Sequence, residues 1–202
     1  MTVFGVILAG GTGRRLGSVN KSTLRIGSKT LLTRLLDTVE PQLDKVAISG
    51  SVQSQERSLR TDLPLLFDQF DPQIGPLGGI DAGYRWAKSI GASDATDLLL
   101  IAPVDTPHFP ANFVEMARER ISGQDVVVAK FNEHVYPTCS LWRLGAATNI
   151  ASTRKDAANN SIRAYLDKLN VAYLDFADSS TANPFKNANK ISDLISFDTR
   201  VS

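Results

Sequence analysis

The chain holds one cysteine, Cys139, and two histidines, His108 and His134, in 202 residues. A single cysteine excludes an intrachain disulfide and points to a reducing, cytoplasmic setting. Cys139 reads as a small buried side chain rather than a nucleophile, because no histidine is placed to activate it. Net charge is also scarce. Twenty-two Lys and Arg against 21 Asp and Glu leave +1, so overall charge gives no support to a nucleic-acid partner. No apolar run approaches the roughly 18 residues that would span a bilayer. Met1-Thr2 passes straight into strand-like residues, without the basic opening of a secretory leader, so no membrane partner is expected. Repeats and low-complexity tracts are missing as well. What remains, 43% hydrophobic and 21% charged residues, is ordinary for one globular domain with a full core.

The apolar patterning gives an order of elements. Val3-Phe4-Gly5-Val6-Ile7-Leu8 is nearly continuous and ends at Ala9-Gly10-Gly11, the pattern of a buried parallel strand entering a loop. Gly27-Ser28 marks a small turn between Thr23–Ile26 and Thr30. Leu31, Leu32, Leu35, Leu36 and Val39 follow at helical spacing, and Pro41 stops the run. Strands are expected at Lys45–Ser49, at Pro64–Phe67 ending on Asp68, at Asp97–Ala102 and at Asp125–Ala129. Helices are expected from Gly78-Gly79 through Ala87 to Ile90, and across Phe113, Ala117 and Ile121. Strand and helix alternate through the first two thirds, which predicts an α/β fold with a mostly parallel sheet covered on both faces. The last third is less regular: a strand at Val135–Trp142, a helix at Ser161–Leu169, a strand at Val171–Phe176 and a helix at Ile191–Phe197.

The first site is the loop after the opening strand, Leu8-Ala9-Gly10-Gly11-Thr12-Gly13-Arg14-Arg15-Leu16-Gly17-Ser18-Val19-Asn20-Lys21. Its glycines let the backbone turn sharply and approach a ligand. Exposed N–H groups in such a loop form a concave anion site. Between Gly10 and Leu35 there are six basic residues (Arg14, Arg15, Lys21, Arg25, Lys29 and Arg34) and no acidic ones. They read as a solvated face or as part of that anion site, and a triphosphate needs such neutralisation before its phosphorus is attacked. The loop sits at the sheet end where open parallel sheets bind ligands. It is neither standard nucleotide motif. Lys21-Ser22 lacks the glycine of a Walker A loop, and Gly11-x-Gly13-x-x-x-Gly17 misses the dinucleotide fingerprint by one position.

Two carboxylates stand at strand ends. Asp105, in Pro103-Val104-Asp105-Thr106-Pro107, can supply a hard oxygen to Mg²⁺, or can serve as a turn or helix-cap aspartate. Asp68, seven residues before Gly75-Pro76-Leu77-Gly78-Gly79-Ile80, can cap a backbone turn.

The run Leu-Ala-Gly-Gly-x-x-x-Arg-x-Gly followed by Lys21 resembles the signature of nucleotidyltransferases with a glycosyltransferase-A-like fold. Within these the chain most resembles the molybdenum cofactor guanylyltransferases, which transfer GMP from GTP to molybdopterin cofactor. The pair Gly10-Gly11 favours that group over relatives reading Leu-Ala-Ala-Gly. The Asp68 to Ile80 stretch, Pro103–Pro107, the strand Tyr136–Trp142 and the Asn-x-Asn of Asn187-Ala188-Asn189 support the match.

The resemblance implies a single Rossmann-like three-layer sandwich of the nucleotide-diphospho-sugar transferase type, residues 1–202, with a nucleotide-binding half at 1–110 and an acceptor-binding half at 111–202. It implies nucleotide contacts from Leu8, Ala9, Gly10, Gly11, Thr12, Gly13, Lys21, Ser49, Asp68, Gly78 and Asp105. It also implies that Asp68 recognises a guanine base, whose N1–H and amine a carboxylate accepts together. Arg15, Lys21 and Asp105 carry catalysis in this reading, and Asp105 and Asn187 hold Mg²⁺. Asn187 and Asn189 otherwise read as loop asparagines bonded to local backbone. The implied partners are GTP and molybdopterin cofactor as substrates, with molybdoenzymes or cofactor-insertion proteins as protein partners.

The chain departs from the family pattern at Asn20, where an aspartate is usual, at Ser49, where asparagine is common, and at Asn159-Asn160, where an arginine pair is expected. A relative using CTP or another phosphorylated acceptor, or an inactive nucleotide-binding homologue, fits the same motifs. A phosphate nucleophile is already ionised near neutral pH, so neither histidine is needed as a base.

Overall fold

The computed structural model describes residues 1–9, 21–50, 62–68, 75–155, 161–177, 182–189 and 193–194. Among these, a seven-stranded sheet is built from β1 (Val3–Leu8), β4 (Lys45–Ser49), β5 (Leu65–Leu66), β6 (Leu98–Pro103), β7 (Val126–Phe131), β8 (His134–Arg143) and β9 (Val171–Asp175). Its spatial order is β5-β4-β1-β6-β8-β7-β9, and β2 (Arg25–Ile26) and β3 (Lys29–Thr30) form a separate antiparallel hairpin. The pairs β1–β4, β1–β6, β4–β5 and β7–β9 are parallel, whereas β8 runs antiparallel to both β6 and β7.

Side chains alternate between two cores. In β6, Leu98, Leu100 and Ala102 join one cluster, and Leu99 and Ile101 the other. In β7, Val127 and Ala129 face the first, and Val126 and Val128 the second. Strands buried on both faces read as unbroken apolar runs, which is why β1 and β6 are so legible.

The first face is covered by α1 (Leu31–Val39) and α3 (Phe113–Arg120), the second by α2 (Pro76–Ser89) and the short α4 (Ile162–Leu166). This is a three-layer α/β sandwich. Helix α1 starts at Thr30, whose side chain accepts from the Thr33 N–H, and buries Leu31, Leu32, Leu35, Leu36 and Val39. No helix among the described residues is long and apolar enough to cross a membrane.

Strand β7 returns directly into β8, where a strand was expected at Val135–Trp142, through Asn132-Glu133, with Asn132 at φ 51°. Asparagine tolerates that left-handed backbone, so the turn closes a hairpin. Two expectations need correction. Helix α2 begins at Pro76 rather than at Gly78, because Gly75 takes φ 64° and proline suits the first helical position. The expected helix over Ser161–Leu169 ends at Leu166, and Asp125 Oδ2 accepts the Asn170 N–H at 2.8 Å, which leads the chain into β9. The expected helix at Ile191–Phe197 lies almost wholly outside the described residues.

Strand β8 also carries an irregularity. Val128 pairs with Ser140, but Ala129 pairs with Tyr136, so Pro137, Thr138 and Cys139 bulge from the ladder. Pro137 has no N–H to give to β7, and bulges of this kind re-aim side chains near sheet edges. Ser140 Oγ closes the bulge by donating to the Pro137 carbonyl and accepting from Trp142 Nε1, each at 2.8 Å.

Candidate active site

The site lies at the carboxyl end of β1, an inner strand of the sheet. There the Ala9 N–H donates to the Ser49 carbonyl at 2.7 Å, and the Val104 N–H donates to the Leu8 carbonyl at 3.0 Å. These bonds extend the ladder beyond the strands and fix three chain ends side by side. After β6 the chain turns at once. The Thr106 N–H and Oγ1 both donate to the Pro103 carbonyl, at 3.2 and 2.8 Å. The turn places Asp105 at a corner, so the turn-forming and site-forming readings of this residue are both realised. Its side chain is only 13% exposed.

Lys21 meets Asp105 there. Its Nζ lies 2.6 Å from Asp105 Oδ2 and 2.5 Å from Asn189 Oδ1. Lys21 opens a 3-10 turn, Lys21–Thr23, and its carbonyl accepts the Leu24 N–H at 3.1 Å. The hairpin β2–β3 and helix α1 follow directly, so its backbone is set by a packed element rather than by the glycine loop.

Asn189 arrives on a strap from the far end of the sequence. Phe185, fully buried, anchors the strap among Phe109, Phe113, Tyr136 and Phe176, with ring centroids 5.1–6.2 Å apart. The Ala188 N–H donates to the Asp105 carbonyl at 2.8 Å, and the Asn189 N–H donates to Asp193 Oδ2 at 3.0 Å. Asn183 adds a bond from Nδ2 to the Tyr136 hydroxyl at 2.5 Å.

On the other side of β1, the start of α2 is packed tightly against the sheet. A Cβ on Gly79 would collide with Leu8 and press on Ser49 Oγ. A Cβ on Gly78 would fall on the Asp68 carboxylate, which follows β5. Leu8, Ser49, Asp68 and Gly78 are therefore neighbours, and glycine is the residue that lets them close up.

Of the residues singled out in the sequence, Leu8, Ala9, Lys21, Ser49, Asp68, Gly78 and Asp105 share this edge of the sheet. Gly10, Gly11, Thr12, Gly13, Arg14, Arg15, Asn20 and the pair Asn159-Asn160 lie outside the described residues. Asn187 is exposed, and it is Asn189 whose oxygen reaches the cationic nitrogen. A large apolar residue within a loop-rich tail, Phe185, was the available sign that this segment is anchored.

The basic patch resolves into separate jobs. Arg34 donates twice to the Ile26 carbonyl, Arg25 to the Ser28 carbonyl, and Lys29 pairs with Asp37 at 2.7 Å. These three hold the hairpin and α1. Only Lys21 of the described four stands at the site. Cys139 is buried, and desolvation first, then the negative charge of Asp105, pushes its thiol well above its ordinary 9.0. It is inert packing, as expected. His134 is an exposed strand-end residue.

The arrangement can neutralise an anion beside an acid that presents oxygen to a cation. A MobA-like NTP transferase domain matches residues 5–171. The fold and this match define the class: the chain is a nucleotidyltransferase. A molybdenum cofactor guanylyltransferase of Cereibacter sphaeroides is 36% identical over 195 residues, covering 96% of this chain and 94% of that one. Another so named, from Acidiphilium cryptum, is 32% identical over 189 residues, covering 94% and 90%. The crystal structure of molybdopterin-guanine dinucleotide biosynthesis protein A from Archaeoglobus fulgidus superposes with a TM-score of 0.76 at 21% identity, covering 98% of both chains, which shows the shared fold. More narrowly, the chain belongs to the MobA-like NTP transferase family, alongside the molybdenum cofactor guanylyltransferases.

Proposed function

We propose that the protein transfers GMP from GTP to molybdopterin cofactor with Mg²⁺, releasing pyrophosphate. The observation that carries this reading is the meeting of Lys21 with Asp105 across 84 positions of sequence. A cation and a strand-end acid meet at one edge of the sheet, and relatives of the chain are named for this transfer.

In the proposed reaction an oxygen of the acceptor phosphate attacks the α-phosphorus of GTP. That P–O bond forms as the bond from the α-phosphorus to the bridging oxygen breaks, and pyrophosphate leaves with the electron pair. The protein supplies position and charge rather than covalent chemistry. Lys21, with Arg15 and the amides of the Leu8–Gly13 loop, neutralises the triphosphate. The Asp68 carboxylate, held against Gly78, accepts from the guanine N1–H and amine.

The donor set suits Mg²⁺. Asp105 and Asn189 already turn two hard oxygens toward one cationic centre, and Mg²⁺ takes one or two such ligands, leaving the rest to phosphates and water. When bound, the ion supplies charge neutralisation on the phosphate oxygens. No general base is required of the chain.

The direct test combines purified protein, molybdopterin cofactor, Mg²⁺ and each of GTP, CTP, ATP and UTP. Pyrophosphate is followed by a coupled assay and the dinucleotide product by mass spectrometry. The reading expects product with GTP. Product with CTP alone would reassign the base, and no pyrophosphate from any of the four would remove the activity.

A further inference from the structure

The cation seated between Asp105 and Asn189 is the Lys21 ammonium. Its Nζ is within hydrogen-bonding distance of both oxygens, at 2.6 and 2.5 Å, and these bonds use two of its three donors. The same two oxygens are the hard donors that fit a divalent metal. At such a distance the ammonium and a divalent ion sharing Asp105 Oδ2 would repel across one oxygen, so each weakens the hold of the other.

We propose that Lys21 is an internal place-holder. It keeps free divalent metal off Asp105 until a triphosphate arrives, and then leaves the carboxylate for the phosphates. This inference rests on the metal-dependent reading above.

Three observations support an exchange over a permanent clamp. The first is charge. Lys21 and Asp105 form a balanced pair, so a free divalent ion would add uncompensated charge, whereas a metal bound to a triphosphate brings its own anion. The second is freedom to move. Lysine carries a compact charge on a flexible four-carbon stem, and the Lys21 side chain is 22% exposed against 13% for Asp105. The third is that the backbones carrying the two oxygens are fixed by bonds that do not involve Lys21. Asp105 follows the turn after β6, and its carbonyl accepts the Ala188 N–H. The Asn189 N–H donates to Asp193, and Phe185 anchors the strap in its aromatic socket.

The consequence is obligate pairing of metal and nucleotide. Nucleotide tightens metal by drawing Lys21 away, and metal must tighten nucleotide by the same factor.

Mn²⁺, counted by its electron paramagnetic resonance signal, is the probe. Binding is measured on the ligand-free wild type, on Lys21→Met, which keeps the stem without the charge, and on Lys21→Met combined with Asp105→Asn. Each is repeated with the slowly reacting α,β-methylene analogue of GTP. Circular dichroism and melting curves check folding, and Lys21→Gln carries the same test should the methionine variant not fold. Ligand-free Lys21→Met is expected to hold Mn²⁺ at least about ten-fold more tightly than ligand-free wild type, within the usual range of coupling between sites. Adding Asp105→Asn should abolish the gain, and the analogue should bring the wild type up to the tighter level. A folded Lys21→Met that gains less than about two-fold, while wild type takes Mn²⁺ only with the analogue, overturns the exchange and leaves the metal-dependent reading standing. Wild type that takes no Mn²⁺ even with the analogue overturns that reading and the exchange together.

Discussion

The Asp105 carbonyl accepts the Ala188 N–H at 2.8 Å while the carboxylate of the same residue holds Lys21. One residue therefore ties the strap at 182–189 to the cation that follows the glycine loop, and the strap's own anchor becomes a point of control. Phe185 contacts four other rings and is fully buried. Phe185→Ala is expected to lower stability by about 3–5 kcal/mol, read from urea unfolding midpoints. Its residual folded fraction should also turn over more slowly, because Asn189 loses its support. Unchanged midpoint and turnover would show that the socket holds nothing in place.

Lys21→Ala should leave the melting temperature within a few degrees and reduce kcat by about 10²–10³, the usual cost of losing a donor aimed at developing charge. Steady-state kinetics with GTP check this. Turnover equal to wild type would take Lys21 out of the reaction.

Asp68 and Gly78 make a second linked pair. Gly78→Ala puts a methyl group where the Asp68 carboxylate lies. The helix tolerates alanine well, so the variant should fold with the carboxylate pushed aside. Asp68→Asn removes the charge without the volume. Both should weaken GTP binding by about 1.5–3 kcal/mol, the value of a hydrogen bond to a charged group, with little effect on CTP. Thermal shifts with four nucleotides check it, and an equal loss for all four would mean that Asp68 does not read the base.

Acid should loosen the start of the chain. Asp97 accepts the Ser93 and Thr2 N–H groups at 2.9 and 2.8 Å, and these bonds hold its carboxyl below the ordinary 3.8. A folded-state value below the unfolded one stabilises the fold above the unfolded pKa. That contribution fades as pH falls from about 3.8 through the lowered value. In Asp97→Asn this part of the acid limb should disappear from a plot of unfolding free energy against pH, at the cost of lower stability at pH 7. An unaltered limb would place the acid sensitivity elsewhere.

Cys139 should resist a thiol reagent such as Ellman's at pH 8 in the native protein and react on unfolding, since burial and Asp105 both oppose the thiolate. Rapid labelling of the folded chain would contradict its placement.

Much of this was written in the sequence. The buried strands were legible because both of their faces are apolar, and Lys21, Asp105 and Asp68 stood out because strand ends in such sheets collect ligand-binding groups. Less legible was anything set by long-range pairing. The reversal of β8 depends on a two-residue turn that any polar pair resembles. The bulge at Pro137–Cys139 is a matter of register, which strand patterning does not encode. Asn187 and Asn189 are alike in sequence, and only the burial of Phe185 and Ala188 decides which of them faces Lys21. The basic patch was left open between a solvated face and an anion site for a related reason: charge counts do not reveal that Arg25, Lys29 and Arg34 spend their donors on a hairpin and a helix.

Lys21 and Asn189 lie 168 positions apart. A ribosome builds a chain from its N-terminus at about 5–20 residues per second, so the lysine waits through the synthesis of 168 further positions for the asparagine it binds. Until residue 189 has been made, the cluster of Lys21, Asp105 and Asn189 cannot assemble.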